Sequence, residues 1–361
     1  MVIKRKDFIM CRICFIPVLL LSILAVSCGD GGLGPSPGSS MVGWAVGSVY
    51  QGPGLILHTT DGGNNWNRQE SSAIPEMQLE AVFAVDSLCA WVVSGPDGGY
   101  ATVLRTLDGG ATWTRIGSSA AILNTSLNAV YAFSTESALV AGGNNAILYT
   151  NDGGNSWISI SDAAYDTFTY DDVYAIDPGC LWVVGGDGAD GIILHTTDGG
   201  MQWESQGNAF LLDSFPLISV SAVNADTAWT VGHGHTVAKT TDGGQNWELC
   251  VPDSLPRTTQ SDDANGIVAL PSGWTLVGMD YGKAYITEDG GTTWTKQDVP
   301  TAELLLGCCS LNQTYSWIAA QSMNATGGCI VATSNGGSSW TLQYSSDIQT
   351  ICDVSFVGAQ H

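Results

Sequence analysis

The sequence predicts an all-β fold: a seven-bladed β-propeller of four-stranded blades, with the ring closed by the C-terminal strand pairing with the N-terminal blade. Three observations predict it. A short motif recurs seven times at a near-constant interval, and each interval contains four strand-like segments. The composition also combines 45 glycines with 13 tryptophans in 361 residues. Many tight turns together with many bulky core residues are typical of all-β repeat proteins.

The N-terminus has the pattern of a secretory signal peptide, which we assign to residues 1–27. A basic stretch at residues 4–6 precedes an apolar run over residues 13–26. This run is short for a membrane span, which needs about 20 apolar residues. We therefore expect removal of the segment rather than a permanent membrane helix.

The residues around Cys28 predict a lipid anchor. Small residues precede Cys28, as in a bacterial lipobox, where the cysteine is acylated and becomes the new N-terminus. Ordinary cleavage after Ser27, with Cys28 unmodified, is the alternative. Residues 28–40 form a Gly/Pro/Ser-rich tether. The expected location is that of an exported bacterial lipoprotein, anchored in a membrane and facing the periplasm or the cell surface.

The charge balance excludes two classes of partner. The chain has 11 Lys and Arg residues against 34 Asp and Glu, a net charge of −23. Nucleic acids, and anionic lipids bound through basic patches, require clustered basic residues. We therefore predict no nucleic-acid partner, and membrane contact only through the lipid anchor.

Residues 41–361 are accounted for by one repeated unit, so we expect a single propeller domain. The motif centres on an acidic or amide residue that recurs every 44 to 47 residues. The seven positions are Asp61, Asp108, Asp152, Asp198, Asp242, Asp289 and Asn335. A period of this length matches a propeller blade.

Each unit contains four predicted strands. In the second unit they cover residues 79–85, 89–94, 101–106 and 112–116, where β-branched and aromatic residues alternate with Gly, Asn and Asp turns. The first unit lacks its opening strand, and residues 350–358 read as that strand. Pairing of the two ends would leave no free sheet edge.

The repeated motif resembles the Asp-box, or BNR, family. Thr precedes the Asp or Asn by two residues in all seven copies, and Trp follows it by five. An Asp-Gly pair favours a tight hairpin, in which the Asp carboxylate can accept hydrogen bonds from nearby backbone N–H groups. We interpret the seven Asp-box residues as structural, because a catalytic or metal site repeated seven times at a rim would be unusual.

The remaining tryptophans are also periodic. Trp44, Trp91, Trp182, Trp229, Trp274 and Trp317 are predicted to share one position of the second strand, where Leu139 stands in the third unit. No tryptophan is left over to form a platform for sugars.

Within the Asp-box group, the segments GWAVG (residues 43–47) and ILHTTDGGNNW resemble the photosystem II stability/assembly factor family. This resemblance implies a binding or assembly role, exercised in that family through an arginine-rich patch. After residue 40 the chain has only four arginines, Arg68, Arg105, Arg115 and Arg257. It also lacks the three convergent arginines with which sialidases hold a sugar carboxylate.

The loops on the face opposite the Asp-boxes differ between units, and we predict that they form the binding face. Its candidate residues are Tyr50, Asp97, Tyr100, Asp187, Asp190, His233, His235, Asp280, Tyr281 and Lys283. The alternative for each of them is a solvated turn. His233 and His235 have the spacing of a metal pair, but no third ligand is identifiable, so no metal and no cofactor is predicted.

The sequence therefore predicts a binding or assembly scaffold for a protein partner in the cell envelope, without catalysis. The alternative is a carbohydrate-active propeller, either a glycoside hydrolase or a glycan-binding protein. No pair of carboxylates stands out among the many acidic residues, and no catalytic residue is assigned.

Overall fold

Seven four-stranded antiparallel sheets form the ring that the repeats predict, and the chain is all-β. The structure is a computed structural model. It describes residues 25–27, 41–49, 52–97, 99–116, 125–207, 209–213, 215–250, 263–322 and 327–358. Residues 28–40, with Cys28, and most of the predicted signal peptide lie outside the described residues.

The four strands of each blade follow one another outward from the ring axis, because the first strands of neighbouring blades contact each other. Blade 1 consists of Gln349–Val357, Val42–Val49, Gly54–Thr59 and Asn67–Arg68, and blade 2 of Leu79–Ala84, Ala90–Asp97, Tyr100–Thr106 and Thr114–Ile116. Blade 3 consists of Leu127–Ala132, Ala138–Gly142, Ala146–Thr150 and Ile158–Ser159, and blade 4 of Thr169–Ala175, Leu181–Gly186, Gly191–Thr196 and Glu204–Gln206. Blade 5 consists of Leu217–Ala222, Ala228–Gly232, Thr236–Thr240 and Glu248–Leu249, and blade 6 of Ala264–Ala269, Thr275–Met279, Lys283–Thr287 and Thr295–Asp298. Blade 7 consists of Ala302–Ser310, Ser316–Ser322, Gly328–Thr333 and Thr341–Ser346.

The ring closes through strands from the two ends of the chain, as predicted. Gln349–Val357 is the innermost strand of blade 1 and pairs antiparallel with Val42–Val49, from Val42 opposite Val357 to Val49 opposite Gln349. Blade 1 is thereby completed, and its second strand has no free edge.

Among the described residues, three short elements lie outside the 28 blade strands. Ala25–Ser27 runs parallel to Cys308–Ser310, in the first strand of blade 7. A 3₁₀ turn, Ala163–Tyr165, and a short α-helix, Ala209–Leu212, lie between blades. None of the helices in the described part of the chain has the length and apolar character needed to cross a bilayer.

Tryptophans pack the blades against one another. A second-strand tryptophan of one blade meets the Asp-box tryptophan of the next blade edge to face. Trp182 and Trp247 do so at 5.8 Å, and Trp229 and Trp294 at 6.0 Å. These aromatic contacts bury large apolar surfaces and hold the blades at a fixed spacing.

The prediction that six tryptophans share one strand position is wrong for blade 6. Trp274 precedes the second strand, Thr275–Met279, and Leu276 takes the position opposite Ile286 that tryptophan takes in other blades. Trp274 thus lies two positions before the residue that pairs with Ile286. Trp274 nevertheless stays buried.

The ring has two faces. The Asp-box hairpins share one face with the turns that join the first and second strands, as shown by the hydrogen bond from the Gly109 amide to the Leu88 carbonyl at 2.9 Å. The hairpins between the second and third strands lie on the other face, together with the connections between blades. We call these the Asp-box face and the opposite face.

Candidate functional site

The Asp-boxes are self-contained turns. In blade 6, the Thr287 hydroxyl donates to Asp289 Oδ1 at 2.8 Å and accepts from the Gly291 amide at 2.9 Å. Asp289 also accepts from the amide and the hydroxyl of Thr293, at 2.9 and 2.7 Å. These hydrogen bonds, led by that of the Thr293 hydroxyl, lower the pKa of Asp289 to about 2. The hydrogen bonds of the Asp289 carboxylate are thus made within its own turn.

The seventh copy shows that this turn does not need the negative charge. Asn335 Oδ1 accepts from the Thr333 hydroxyl at 2.9 Å and from the Ser339 amide at 3.0 Å, as the aspartates do. Its Nδ2 donates to the Ser339 hydroxyl at 2.8 Å, with the donor and acceptor roles reversed. This geometry supports a structural role for the motif.

The few basic side chains are already engaged. In the described part of the chain, every Lys and Arg contacts an acid or an aromatic ring. The contacts are Arg68 with Glu70, Arg105 with Trp91 and Glu136, Arg115 with Asp97, Lys239 with Trp229, Lys283 with Asp298, and Lys296 with Tyr285. Because several of these cations lie over tryptophan or tyrosine rings, they act as packing elements. They form no arginine patch there.

On the opposite face, blade 2 uses two predicted binding residues within its own hairpin. Asp97 and Tyr100 face each other at the end of the hairpin. Asp97 pairs with Arg115, at 2.5 Å, and its carbonyl accepts a second hydrogen bond from the same guanidinium. Tyr100 is half-buried against the core between blades 2 and 3. These contacts stiffen the hairpin.

Asp187 and Asp190 form a solvated turn in blade 4. Asp187 Oδ1 accepts from the amides of Ala189 and Asp190, at 2.9 and 2.8 Å, and these bonds lower the pKa of Asp187. Both side chains are exposed. The arrangement is an Asx turn, so the interpretation as a solvated turn fits here.

The structure brings two predicted residues, His233 and Asp280, together where blades 5 and 6 meet. His233 Nδ1 lies 2.8 Å from Asp263 Oδ2, and the Gly234 amide donates to Asp263 Oδ1 at 3.0 Å. Asp280 Oδ1 accepts from Asn265 Nδ2 at 2.8 Å, and the Asp280 amide donates to the Asp263 carbonyl at 3.1 Å. We call His233, Asp263, Asn265 and Asp280 the His233 cluster.

Electrostatics within the His233 cluster favour an ionised Asp263. Burial alone would raise the pKa of Asp263, but the hydrogen bond and charge of His233, with the Gly234 amide, hold it below its usual value. His235, the second predicted histidine, is buried and has a positive φ of 62°. The cluster is therefore a polar joint between two blades.

Two further predicted residues border this cluster, and one lies outside the structure. Tyr281 is 49% exposed and has a positive φ of 58° at the tip of the blade 6 hairpin. Lys283 forms an ion pair with Asp298 in the outermost strand of the same blade. Tyr50 lies outside the described residues.

The sequence analysis missed a ring of bulged residues around the axis. In every blade the first strand slips its register by inserting residues opposite the second strand. The residues inserted at the position that the blades share are Cys352, Glu80, Asn128, Asp171, Ile218, Asn265 and, in blade 7, Leu306 with Gly307. We call them the bulge ring. Blade 7 has a second slip, at Glu303, outside this shared position. Ile218 of blade 5 packs against Leu306 of blade 7 across the axis, since these blades are not neighbours.

The bulge ring is regular in position and irregular in chemistry. It combines acids, amides, aliphatic side chains and a thiol at one register position. β-Bulges re-aim side chains and commonly lie beside functional sites. Variation at this position of each first strand was the sequence signal that could have identified it.

Two buried acids nearby serve as links between blades. Asp172 accepts from the Val220 amide at 2.8 Å, and Asp353 accepts from the Val82 amide at 2.9 Å. Burial raises the pKa of Asp353 to about 8, and it raises the pKa of Asp172 well above its usual value. Ser221 links blades in the same way, accepting from the Ala269 amide at 3.0 Å. We therefore assign these two acids a structural role.

The geometry limits the chemistry of this face. Among the described residues, no group of three His, Cys, Asp or Glu side chains is arranged to hold a metal ion. The remaining features are an acidic surface, a polar joint at blades 5 and 6, and a chemically varied ring at the axis.

Comparison with solved structures places the fold among known propellers. The structure titled "YCF48 bound to D1 peptide" has a TM-score of 0.55 and 19% identity, with 73% of this chain and 81% of that chain covered. YCF48 from Cyanidioschyzon merolae has a TM-score of 0.52 and 20% identity, with coverage of 73% and 84%. The GH74 xyloglucanase from Xanthomonas campestris has a TM-score of 0.63 and 12% identity. That match covers 83% of this chain and 55% of the xyloglucanase chain.

Sequence comparison identifies the family. None of the curated proteins is significantly similar to this chain. A family model described as photosynthesis system II assembly factor YCF48 matches residues 161–346, just over half of the sequence, in blades 4 to 7. Together with the seven-bladed ring and its Asp-boxes, this match shows that the chain belongs to the YCF48 family.

Proposed function

We propose that this chain is an exported, lipid-anchored scaffold that binds a cationic segment of a protein partner through its opposite face and performs no catalysis. The observation that carries the proposal is the location of the non-repeated chemistry. The His233 cluster and the bulge ring differ between blades, whereas the Asp-box face repeats one turn seven times. Specificity requires features that do not repeat.

The family supports a protein partner. A structural neighbour of the same family is titled as bound to a D1 peptide, so a propeller of this type can hold a peptide. The YCF48 family is described as one of assembly factors. We carry over the class of ligand, a protein segment, and not the identity of the peptide.

The charge of the chain supports a cationic segment. The net charge is −23, and the described basic side chains are engaged with acids or rings. An acidic face attracts a Lys- or Arg-rich segment and repels an acidic one. This preference distinguishes the chain from relatives that use an arginine-rich patch.

The position of the tether supports the choice of face. The Met41 carbonyl accepts from the Gly62 amide at 2.9 Å, so the chain enters the propeller beside the first Asp-box. A tether ending at residue 40 therefore leaves from the Asp-box face. With Cys28 acylated, the Asp-box face would turn toward the membrane and the opposite face away from it.

The anchor is tested by labelling the expressed chain with a palmitate analogue. We expect label in the wild type and none in Cys28→Ala, with the Cys28→Ala protein released from membranes. Label that persists in Cys28→Ala, or a membrane fraction without label, would show that the chain is not a lipoprotein.

The binding face is tested by crosslinking the anchored protein in membranes and identifying what co-purifies, over a series of salt concentrations. Tyr281→Asn changes an exposed side chain of the opposite face, and Asn tolerates the positive φ there. Met201→Ala is the matched control, because Met201 is 85% exposed on the Asp-box face. We expect capture to weaken with salt and with Tyr281→Asn, and to survive Met201→Ala. Capture that is independent of salt, or that is lost only with Met201→Ala, would refute the proposed face.

A carbohydrate-active propeller is the second candidate, favoured by one observation: the TM-score of 0.63 with the GH74 xyloglucanase. The chain spans 55% of that enzyme. Binding or hydrolysis of xyloglucan oligosaccharides, with no protein captured, would reverse the order of the two candidates.

A further inference from the structure

Four large apolar side chains are exposed on the Asp-box face of blades 2, 3 and 4. They are between 49% and 85% exposed. Leu107 and Met201 belong to Asp-box turns, and Ile158 directly follows an Asp-box tryptophan at the rim. Leu88 lies in the turn beside the blade 2 Asp-box, since its carbonyl accepts from the Gly109 amide. We call Leu88, Leu107, Ile158 and Met201 the apolar tips.

The corresponding positions of blades 5, 6 and 7 carry polar residues or glycine. The position of Leu88 is recognised by its hydrogen bond, because the carbonyls of Asp226, Gly273 and Thr314 accept from the first Asp-box glycine in the same way. At the positions of Leu107 and Met201 these blades have Thr241, Glu288 and Ser334, and Gln245, Thr292 and Ser338. The Asp-box face therefore has an apolar side and a polar side.

The Asp-box turn itself does not require the apolar tips. At the position of Met201, blades 1 and 3 have asparagines whose Nδ2 atoms donate to the carbonyl of the Asp-box aspartate. Asn64 donates to the Asp61 carbonyl, and Asn155 to the Asp152 carbonyl, both at 2.6 Å. Met201 makes no such bond, and its side chain gains little from the fold because it is 85% exposed. This exposure suits a contact outside the chain.

The apolar side of this face begins next to the tether. The chain enters the propeller in blade 1, where the Met41 carbonyl accepts from the Gly62 amide. Blade 1 contacts blade 2 in the ring, and blade 2 carries Leu88 and Leu107. A short flexible tether raises the effective concentration of the membrane surface to about the millimolar range. Under this condition a few weak apolar contacts suffice to orient the domain.

Charge determines which membrane surface the tips can meet. The net charge of the chain is −23, and Arg105, the basic residue nearest to them in sequence, lies over the Trp91 ring. Contact with anionic headgroups requires basic residues. Asp108 and Asp198 stand beside Leu107 and Met201 and are held ionised by hydrogen bonds within their turns, which lower their pKa. The tips can therefore enter an uncharged lipid surface only as far as these carboxylates allow.

We propose that the apolar tips insert into the interfacial layer of a zwitterionic phospholipid bilayer, so that the propeller rests on the membrane through the Asp-box face of blades 2 to 4. This inference rests on the proposed lipid anchor and adds to it the surface of contact and the class of lipid. Apolar side chains bind at an interface in proportion to the area they bury there. The anchor holds the protein on the membrane, and the tips set its orientation.

The test is methyl NMR of the full acylated chain, labelled in its methionine methyl groups, in phosphatidylcholine nanodiscs that contain a nitroxide lipid. Met201 reports on the tips. Met77 is the internal reference on the opposite face, because a Cβ added at Gly95 would lie 3.2 Å from its methyl carbon. We expect the nitroxide to relax the Met201 methyl several-fold more than the Met77 methyl. Phosphatidylglycerol should reduce this difference.

The variants use residues that other blades already tolerate. Leu88→Thr combined with Leu107→Thr should bring the relaxation of Met201 close to that of Met77. Ile348→Thr is the matched control, since Ile348 is 60% exposed in a connection on the opposite face, and it should change nothing. Equal relaxation of the two methyl groups in the wild type, an unchanged difference in the double variant, or a larger difference with phosphatidylglycerol would overturn the proposal.

Failure of the anchor is distinguishable from failure of the contact. If Cys28 is not acylated, the same spectra are recorded after coupling Cys28 to a maleimide lipid, in a Cys250→Ser protein because Cys250 is partly exposed. Stronger relaxation of Met201 than of Met77 in that protein would support the contact while refuting native acylation. Equal relaxation there would overturn the contact as well.

Discussion

Replacement of Thr150 by valine tests whether the Asp-box is held by its threonine hydroxyl. Thr150 is buried, and its hydroxyl donates to Asp152 Oδ1 at 2.9 Å and accepts from the Gly154 amide at 3.0 Å. Valine has nearly the same shape and makes neither bond. The partly exposed Asp152 carboxylate recovers its hydrogen bonds from water, but the buried Gly154 amide does not.

The cost of Thr150→Val is therefore that of one buried unsatisfied N–H, about 2 kcal/mol. Urea unfolding followed by tryptophan fluorescence measures the free energy of unfolding, and hydrogen exchange at Gly154 locates the change. Thr150→Ser, which keeps the hydroxyl and loses one methyl group, should cost about 0.8 kcal/mol. A Thr150→Val protein no less stable than Thr150→Ser would refute the role of the hydroxyl.

Asp152→Asn is the matched test of the charge. Asn335 already makes this turn with Ser339, and Asp152 faces Ser156 in the same way. We expect an unchanged urea midpoint and no response to added calcium. A large loss of stability, or a midpoint that depends on calcium in the wild type alone, would show that the carboxylate has a role beyond the turn.

Three further predictions address the joints between blades. Trp182→Ala removes a fully buried ring that meets Trp247 edge to face, and should lower the free energy of unfolding by about 4 kcal/mol in urea titrations. A loss below about 1 kcal/mol would contradict the role of Trp182 in packing two blades together. The pKa of Asp263 in the folded state is lowered from 3.8. Its ion pair with His233 therefore stabilises the protein above about pH 4. This contribution to the free energy of unfolding is lost as the pH falls through the lower folded-state pKa. Asp263→Asn should therefore show a smaller loss of stability between about pH 5 and pH 2 than the wild type, measured by acid titration of unfolding; an identical acid profile would count against the pair. The pKa of Asp353 is raised to about 8, so the folded state holds this proton more tightly, and stability falls as the pH rises from about 4 to about 8, by up to about 1.4 kcal/mol per pH unit. Asp353→Asn should make that slope shallower in urea titrations at about pH 5, 6 and 7, leaving the part due to Asp172, whose pKa is also raised. An unchanged slope would show that Asp353 does not contribute to it.

The fold could be predicted because the repeat is redundant. Seven copies of one turn and 13 tryptophans specify the same four-stranded unit, so an error in one copy does not change the architecture. The C-terminal strand was predicted at residues 350–358 and lies at Gln349–Val357. In blade 2, the second and third strands extend to Asp97 and Tyr100, because these residues continue the ladder as far as a tight hairpin.

The candidate site was less predictable, because it depends on contacts between residues of different blades. His233 and Asp280 were identified from their loops, but their partner Asp263 lies 30 residues after His233. Only the curvature of the ring brings them together. Trp274 shows the related limit within a blade: it stands two positions before the register position of the other tryptophans, although its spacing in the sequence looks periodic.

The bulge ring was missed for a physical reason. A bulge inserts a residue without altering the hydrophobic character of the strand, so a segment such as residues 79–85 reads as an ordinary strand. Asn128 and Asp171 stand out only when the first strands are aligned by their hydrogen-bond register.

Closure of blade 1 by Gln349–Val357 sets the order in which this chain can finish folding. Blades 2 to 7 are continuous in sequence and can pair their strands as they are synthesised or translocated. Val42–Val49 enters first and must wait for the last strand to arrive. Until then its hydrogen-bonding edge is open to other chains. A protein that stops before residue 349 would therefore keep an unpaired strand edge in blade 1 and would be prone to aggregation.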